Sequence, residues 1–128
     1  MLIRFITLVV FAFGFGVSGA MAADADLKKG KKVFKKCAAC HTVVQKKHKI
    51  GPSLAGVMGR TAGTIEGFKY SKAMRAYGKS GIVWSEETLD AYLLNPRKAV
   101  KGTKMVFPGL KKAKDRAAVI AYLKSLNE

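Results

Sequence analysis

Two cysteines and a histidine stand at a spacing that can attach a prosthetic group covalently. They form the run Cys37-Ala38-Ala39-Cys40-His41. Two thiols three positions apart on one helical turn can each form a thioether with a porphyrin vinyl group, and the imidazole that follows is placed beneath the iron. This is the spacing that attaches a c-type haem. The motif predicts one haem c bound covalently through Cys37 and Cys40, with His41 as an axial ligand.

Three other uses of the same residues are weaker. A thioredoxin-like Cys-x-x-Cys needs a preceding strand and a βαβ pattern, whereas the flanks here are lysine-rich and helical in period. A zinc site needs four ligands, and beyond Cys37, Cys40 and His41 the only further Cys or His is His48. A disulfide between cysteines so close in sequence would constrain little of the unfolded chain. Haem attachment is therefore the best supported use.

The first residues carry the pattern of an export signal. Arg4 precedes an apolar run from Phe5 to Val17, and Ala20-Met21-Ala22 offers small residues where a signal peptidase cleaves. The run is shorter than the roughly 20 apolar residues of a membrane span and is interrupted by glycine. We predict that residues 1–22 are a cleaved signal peptide, that residues 23–128 form one domain, and that the mature protein is soluble and periplasmic.

Helical patterns dominate the mature chain, and no alternating apolar and polar run is long enough to predict a sheet. A first helix is predicted over 26–39 and a last helix over 114–126, each with an apolar stripe at three- and four-residue spacing. Shorter helices are predicted over 71–77 and 85–94. Gly30 in the first helix would allow a close crossing of the terminal helices. The sequence therefore predicts an all-α domain, with long aperiodic connections that pack against the haem.

Few residues can supply the second axial ligand of the iron. The methionines that remain after signal removal are Met58, Met74 and Met105. A methionine is more often core filler than ligand, but Met105 lies in a glycine-containing, non-helical loop far enough from His41 to reach the opposite haem face. His48 competes, although it is too close in sequence to His41 to reach that face easily. We assign Met105 as the distal ligand and the other two methionines to the core.

Segments along the whole mature chain match one family. They are Gly30-Lys31-Lys32-Val33-Phe34, Cys37-Ala38-Ala39-Cys40-His41-Thr42, Gly51-Pro52-Ser53-Leu54, Gly59-Arg60, Gly67-Phe68-Lys69-Tyr70, Trp84-Ser85-Glu86-Glu87-Thr88-Leu89, Tyr92-Leu93-Leu94-Asn95-Pro96, Gly102-Thr103-Lys104-Met105-Val106-Phe107 and Ala121-Tyr122-Leu123. Together they resemble class I cytochrome c, close to the mitochondrial-like bacterial branch called cytochrome c2. The resemblance implies crossed terminal helices and loops wrapped around one covalently bound haem.

The resemblance also implies hydrogen bonds around the haem. The carbonyl of Pro52 would accept the second ring N–H of His41, which fixes the imidazole tautomer. Three donors would face a buried propionate, whose charge would otherwise be uncompensated; they are Arg60, Tyr70 and Trp84. Two residues would lie near the distal ligand and the haem edge, namely Tyr92 and Thr103.

The sequence departs from mitochondrial members of this family at three places. The stretch from Tyr70 to Trp84 is longer, and the loop from His41 to Pro52 is shorter. Met74 stands where many members carry an asparagine that hydrogen-bonds near the haem. Because a thioether cannot donate such a bond, we expect a different hydrogen-bond network there.

The ligand set predicts an electron carrier and no enzyme. An iron closed by imidazole and thioether favours one-electron transfer, and no arrangement of nucleophile, acid and base suggests catalysis. The resemblance implies a carrier between a cytochrome bc complex and a terminal acceptor such as a photosynthetic reaction centre or an oxidase. A haem sensor or gas-binding protein with a displaceable methionine ligand is the alternative, and a redox subunit held permanently by a larger enzyme is a third candidate.

The net charge predicts acidic partners. The chain carries a formal charge of +16, which signal removal lowers only by the charge of Arg4. Such a field steers a protein towards acidic surfaces and is screened by salt. A small, weak, charge-guided interface suits a monomeric carrier, whereas nucleic acid is not expected for an exported protein. By resemblance, six lysines surround the exposed haem edge: Lys36, Lys46, Lys47, Lys98, Lys101 and Lys104.

Overall fold

The computed structural model describes residues 18–127, with residues 18–22 and 25 described in backbone only. Helices are the regular elements of this part of the chain: α1 (Ser18–Phe34), α2 (Lys72–Lys79), α3 (Glu86–Leu94), α4 (Pro96–Ala99) and α5 (Ala113–Ser125). The described residues contain no strand, and one isolated antiparallel bridge joins Thr61 to Val83. The all-α prediction is confirmed.

The N-terminal prediction is only partly covered by the structure. Residues 1–17 of the predicted signal peptide lie outside the described residues. Over residues 18–127, no helix is long and apolar enough to cross a membrane. The division into a cleaved segment and one domain from residue 23 stays a prediction.

The first helix lies earlier in the chain than the predicted 26–39. It begins at Ser18, where several alanines favour helix, and ends at Phe34. The chain then continues as turns to Cys40, in which the Cys37 N–H donates to the carbonyl of Phe34 at 2.8 Å. Such three-residue hydrogen bonds tighten a helix end. The attachment motif therefore lies on a tight turn beyond the helix, and not within it.

Side-chain caps set the starts of the short helices. Ser85 accepts the N–H of Thr88 at 3.1 Å while the Thr88 hydroxyl accepts the N–H of Ser85 at 2.8 Å, a reciprocal capping box. Ser71 caps α2, which runs past Gly78 instead of ending before it. A Cβ at position 78 would lie 2.8 Å from the carbonyl carbon of Ala62, so glycine permits this helix to pack against neighbouring backbone.

The terminal helices cross in close contact, as predicted. A Cβ at Gly30 would lie 2.7 Å from the Cβ of Tyr122 and 2.8 Å from the carbonyl carbon of Ala118. Beside this crossing the rings of Phe34 and Tyr122 pack with centroids 5.6 Å apart. Helix α3 also packs against α5. The core includes Val33, Phe34, Val57, Trp84, Leu89, Tyr92, Val100, Leu110, Val119, Ile120 and Leu123.

Candidate functional site

The two cysteines are held by the turn that follows α1. The N–H groups of Cys40 and His41 donate to the carbonyl of Cys37 at 3.0 and 2.9 Å. Both cysteines are free thiols and half-buried. Burial raises the pKa of the Cys37 thiol, with the charge of Lys36 opposing this shift. The structure thus has no disulfide between them, and its described residues contain no group of three or more His, Cys, Asp or Glu that could hold a metal ion such as zinc.

The imidazole of His41 is fixed by one short hydrogen bond. Its Nδ1 donates to the carbonyl of Pro52 at 2.7 Å, which is the contact implied by the sequence resemblance. Burial lowers the pKa of His41, and the Pro52 carbonyl partly offsets that shift. A neutral ring with its proton on Nδ1 presents a free lone pair at Nε2. His41 is therefore prepared to act as a metal ligand through Nε2.

His48, the competing histidine, is occupied elsewhere. Its Nδ1 accepts the N–H of Ser53 at 3.0 Å, and its Nε2 lies 3.0 Å from the carbonyl of Glu66. Because a carbonyl can only accept, Nε2 carries the proton. Both ring nitrogens are therefore used to join two segments of the long connection between α1 and α2, so His48 acts as a structural residue.

Met105 lies in an extended segment between α4 and α5 and is half-buried. The hydroxyl of Tyr92, a buried residue of α3, donates to its Sδ at 3.8 Å. Burial raises the pKa of Tyr92 to about 12, while a hydrogen bond with Thr103 opposes the shift. Because this phenol keeps its proton at neutral pH, it can act as a donor to the sulfur. The structure thus brings Tyr92, Thr103 and Met105 together.

The other two methionines, Met58 and Met74, are, like Met105 itself, partly buried and pack against the hydrophobic core. The backbone carbonyl of Met58 accepts a hydrogen bond from Asn127 at 3.0 Å, and Met74 lies in the first turn of α2 with its N–H on Ser71. Their assignment as filler agrees with this packing.

Arg60 provides a buried donor without an acceptor. Its two terminal nitrogens donate to the carbonyls of Ala55 and Ser53 at 3.3 and 3.1 Å, but its Nε is buried and has no hydrogen-bond partner. Burial lowers the pKa of Arg60, and the phenol of Tyr70 opposes this. A buried cationic donor left unpaired is costly unless an anion meets it. The site therefore fits a bound group that carries a carboxylate, as haem does.

Backbone contacts join Arg60 to Trp84. The N–H of Trp84 donates to the carbonyl of Arg60 at 2.9 Å, and the N–H of Gly59 donates to the carbonyl of Trp84 at 2.7 Å. The Tyr70 hydroxyl accepts the N–H of Ile65 at 3.3 Å, and burial raises the pKa of that phenol. Of the three implied propionate donors, Arg60 and Trp84 are thereby held together, and Tyr70 lies close enough to Arg60 to affect its pKa.

Three supporting residues were missed by the sequence reasoning. A Cβ at Gly51 would lie 2.7 Å from Nδ1 of His41, so only glycine leaves room for the imidazole. Ser53 is fully buried, and its hydroxyl donates to the carbonyl of Val44 at 2.7 Å. Lys49 donates to the carbonyl of Ala38 at 2.7 Å and ties the loop to the attachment turn. The sequence signal that could have identified them is their position within or beside the Gly-Pro-Ser segment that follows the motif.

Two stretches of the chain are basic and contain no acidic residue; one includes the attachment motif and the other includes Met105. From residue 27 to residue 65, and again from 91 to 114, the sequence contains many lysines and arginines but no carboxylate. All six predicted docking lysines are exposed: Lys36, Lys46, Lys47, Lys98, Lys101 and Lys104. None of them takes part in the ion pairs found within residues 18–127. Their arrangement around a haem edge stays a prediction.

Comparison with known proteins gives a consistent family. The family model described as Cytochrome c matches residues 27–127. The chain is similar to cytochrome c 2.1 of Caenorhabditis elegans, with 54% identity over 77% of this chain and 86% of that protein. It is 52% identical to cytochrome c of Sesamum indicum over 80% of this chain and 92% of that protein. Cytochrome c2 of Afifella marina is 48% identical over 77% of this chain and 80% of its own length.

Proposed function

This chain belongs to the cytochrome c family, and from that premise we propose that it is a soluble periplasmic carrier of single electrons with a His41/Met105-ligated haem. Members of this family carry covalently attached haem c, so the chain is a haem protein involved in electron transport. The bound haem supplies a one-electron iron couple. Thioethers from Cys37 and Cys40 would hold it in place.

The hydrogen bond between His41 Nδ1 and the Pro52 carbonyl, at 2.7 Å, is the observation that carries this proposal. It fixes the ring orientation and makes the other nitrogen a stronger donor to a metal. Gly51 leaves space for the ring at the same point. A ligand held this firmly needs little rearrangement when one electron arrives or leaves, and that is the requirement for a carrier.

The distal side supports the same role. The Tyr92 hydroxyl donates to Met105 Sδ and so holds the thioether while withdrawing electron density from it. A thioether ligand in a largely apolar pocket favours the reduced state of the iron and raises the potential over that of a bis-imidazole haem. If His41 and Met105 both bind the iron, small molecules would be excluded. This distinguishes the carrier from a haem sensor or gas-binding protein.

The proposed partners are acidic surfaces of membrane redox complexes. From the family resemblance we infer a cytochrome bc complex as donor and a terminal acceptor such as a reaction centre or oxidase. The formal charge of +16 on the full chain would steer the protein to anionic docking sites on such complexes. The relatives include nematode and plant proteins as well as a cytochrome c2. The periplasmic location therefore rests on the N-terminal segment, and cleavage between Ala22 and Ala23 is its test by mass spectrometry of the mature protein.

The oxidised and reduced absorption spectra test the ligand assignment. Protein made in a host with c-haem maturation should show the weak sulfur-to-ferric-iron band and should not bind carbon monoxide in the ferrous state. Met105→Ala should remove the band and allow carbon monoxide to bind, whereas Met58→Ala, a partly buried methionine of the core, should keep the wild-type spectrum. Ready carbon monoxide binding by the wild-type protein would overturn the carrier in favour of a ligand-binding function.

A further inference from the structure

Helix α2 lies between Tyr70 and Trp84, and both of its ends are fixed by hydrogen bonding or close packing. Its N-terminus is capped by the Ser71 hydroxyl, which accepts the N–H of Met74 at 3.0 Å. Near its C-terminus, Gly78 is buried and packs against the backbone around Ala62. Because both ends are held, a side chain between them is presented to its neighbours in a defined position.

Tyr77 is that side chain. Its ring lies 5.9 Å from the ring of Trp84 and 6.4 Å from the ring of Tyr92, while Trp84 and Tyr92 are 5.0 Å apart. The three rings thus form a closed cluster with tilted geometry, in which aromatic pairs attract beyond their buried area. Trp84 and Tyr92 are buried, and Tyr77 is partly buried against them. Tyr77 therefore covers the two buried rings on one side.

The cluster leads directly to the distal ligand. Tyr92 donates its hydroxyl to Met105 Sδ at 3.8 Å, and Met105 lies in a segment with neither helix nor strand. A donor at this distance depends on the orientation of its ring, since a small rotation would carry the hydroxyl away from the sulfur. Two aromatic neighbours restrict that rotation.

We propose that Tyr77 is a positioning residue for electron transfer: by packing on Tyr92 and Trp84 it holds the Tyr92 hydroxyl against the Met105 sulfur. This inference rests on the proposed His/Met ligation of the iron. It assigns a role to α2, which presents the Tyr77 ring to Trp84 and Tyr92. If Tyr77 only filled space, replacing it would lower global stability without changing how readily the Met105 sulfur is displaced.

The test is competition by free imidazole for the distal position in the ferric haem protein, together with the sulfur-to-iron band and the midpoint potential. Tyr77→Leu removes the ring and should bind imidazole about fivefold more tightly than wild type, the change expected from losing roughly one aromatic contact. Tyr77→Phe keeps the ring and should behave as wild type. Tyr122→Leu is the matched control, because it breaks a different aromatic pair, the 5.6 Å contact with Phe34 at the crossing of the terminal helices.

The outcomes are distinct. An increase with Tyr77→Leu, absent in Tyr77→Phe and Tyr122→Leu, supports the proposal. If Tyr122→Leu increases imidazole affinity equally, or if Tyr77→Leu leaves it unchanged while Tyr92→Phe raises it, the proposal is overturned and the proposed function stands. A wild-type protein without the sulfur band overturns both. If Tyr77→Leu does not accumulate with haem, Tyr77→Ile, which keeps apolar volume without a ring or a sulfur, is measured under the same criteria.

Discussion

Replacing Gly51 with alanine should displace the imidazole of His41, so it should cost more stability than the change in backbone freedom alone. An alanine Cβ would lie 2.7 Å from Nδ1 and 2.8 Å from Nε2 of His41, whereas ordinary contact begins at 3.4 Å. The ring or the backbone must therefore move by several tenths of an ångström. Such overpacking costs about 1–3 kcal/mol, and loss of the bond to Pro52 costs about 1 kcal/mol more. We expect the free energy of unfolding to fall by about 2–4 kcal/mol.

Guanidinium unfolding of the haem-bound protein, followed by circular dichroism, measures this loss, and the midpoint potential reports on the ligand. Gly56→Ala is the matched control. It lies in the same connection with φ of +68° and has no atom within 4 Å of a built Cβ. Its alanine would cost about 1 kcal/mol through the left-handed backbone alone, and the potential should not change.

Equal losses in the two variants, with an unchanged potential in Gly51→Ala, would show that the imidazole has room to accommodate a methyl group. The argument that glycine is needed at position 51 for close approach to His41 would then be wrong.

Three other predictions follow from the packing and titration of the fold. Gly30→Ala should lower the free energy of unfolding by about 2 kcal/mol because the terminal helices must separate, while exposed Lys32→Ala should change it by less than about 0.5 kcal/mol in the same thermal melt. Arg116→Lys should cost about 1–2 kcal/mol in urea unfolding, because lysine cannot reproduce the buried guanidinium that bonds Asp90 at 2.7 Å and two carbonyls. Burial raises the pKa of Tyr70, so its contribution to stability is complete below pH of about 10 and is lost as the pH rises through the folded-state pKa. Tyr70→Phe should make that alkaline decline shallower in urea unfolding at pH 9 to 11, while buried Tyr92, whose pKa is also raised, still contributes; an equally steep decline in the variant would exclude Tyr70 as a source.

Local patterns predicted much of the fold because they depend on neighbouring residues. The stripe that includes Val33 and Phe34 predicted the buried face of α1, and both residues are in the core. The serine before α3 predicted its start, which the capping box confirms. The predicted end of α1, at residue 39, was wrong: the helix ends at Phe34, where the Cys37 N–H donates to the Phe34 carbonyl three residues back. The turn that follows the helix causes this tightening, and the spacing of apolar residues does not predict it.

The residues of the site divide in the same way. The attachment motif and the unusual position of Met105 could be recognised from residue type and spacing, because covalent chemistry and ligand chemistry reside in the side chains themselves. The role of Ser53 could not, since a serine is ordinarily exposed and only its burial among the carbonyls of a folded loop makes its hydroxyl necessary.

Residue identity alone thus predicted the chemistry of this protein: a covalently attached haem, a candidate imidazole ligand, a candidate thioether ligand and a strongly basic charge. Tertiary structure decided how that chemistry is controlled. The bond from His41 to Pro52 and the contact of Tyr92 with Met105 each join residues from separate segments, and folding buries the Nε of Arg60 without a partner. Such contacts form only if their atoms are placed to within a few tenths of an ångström. The segments that carry these atoms become neighbours only when the core packs.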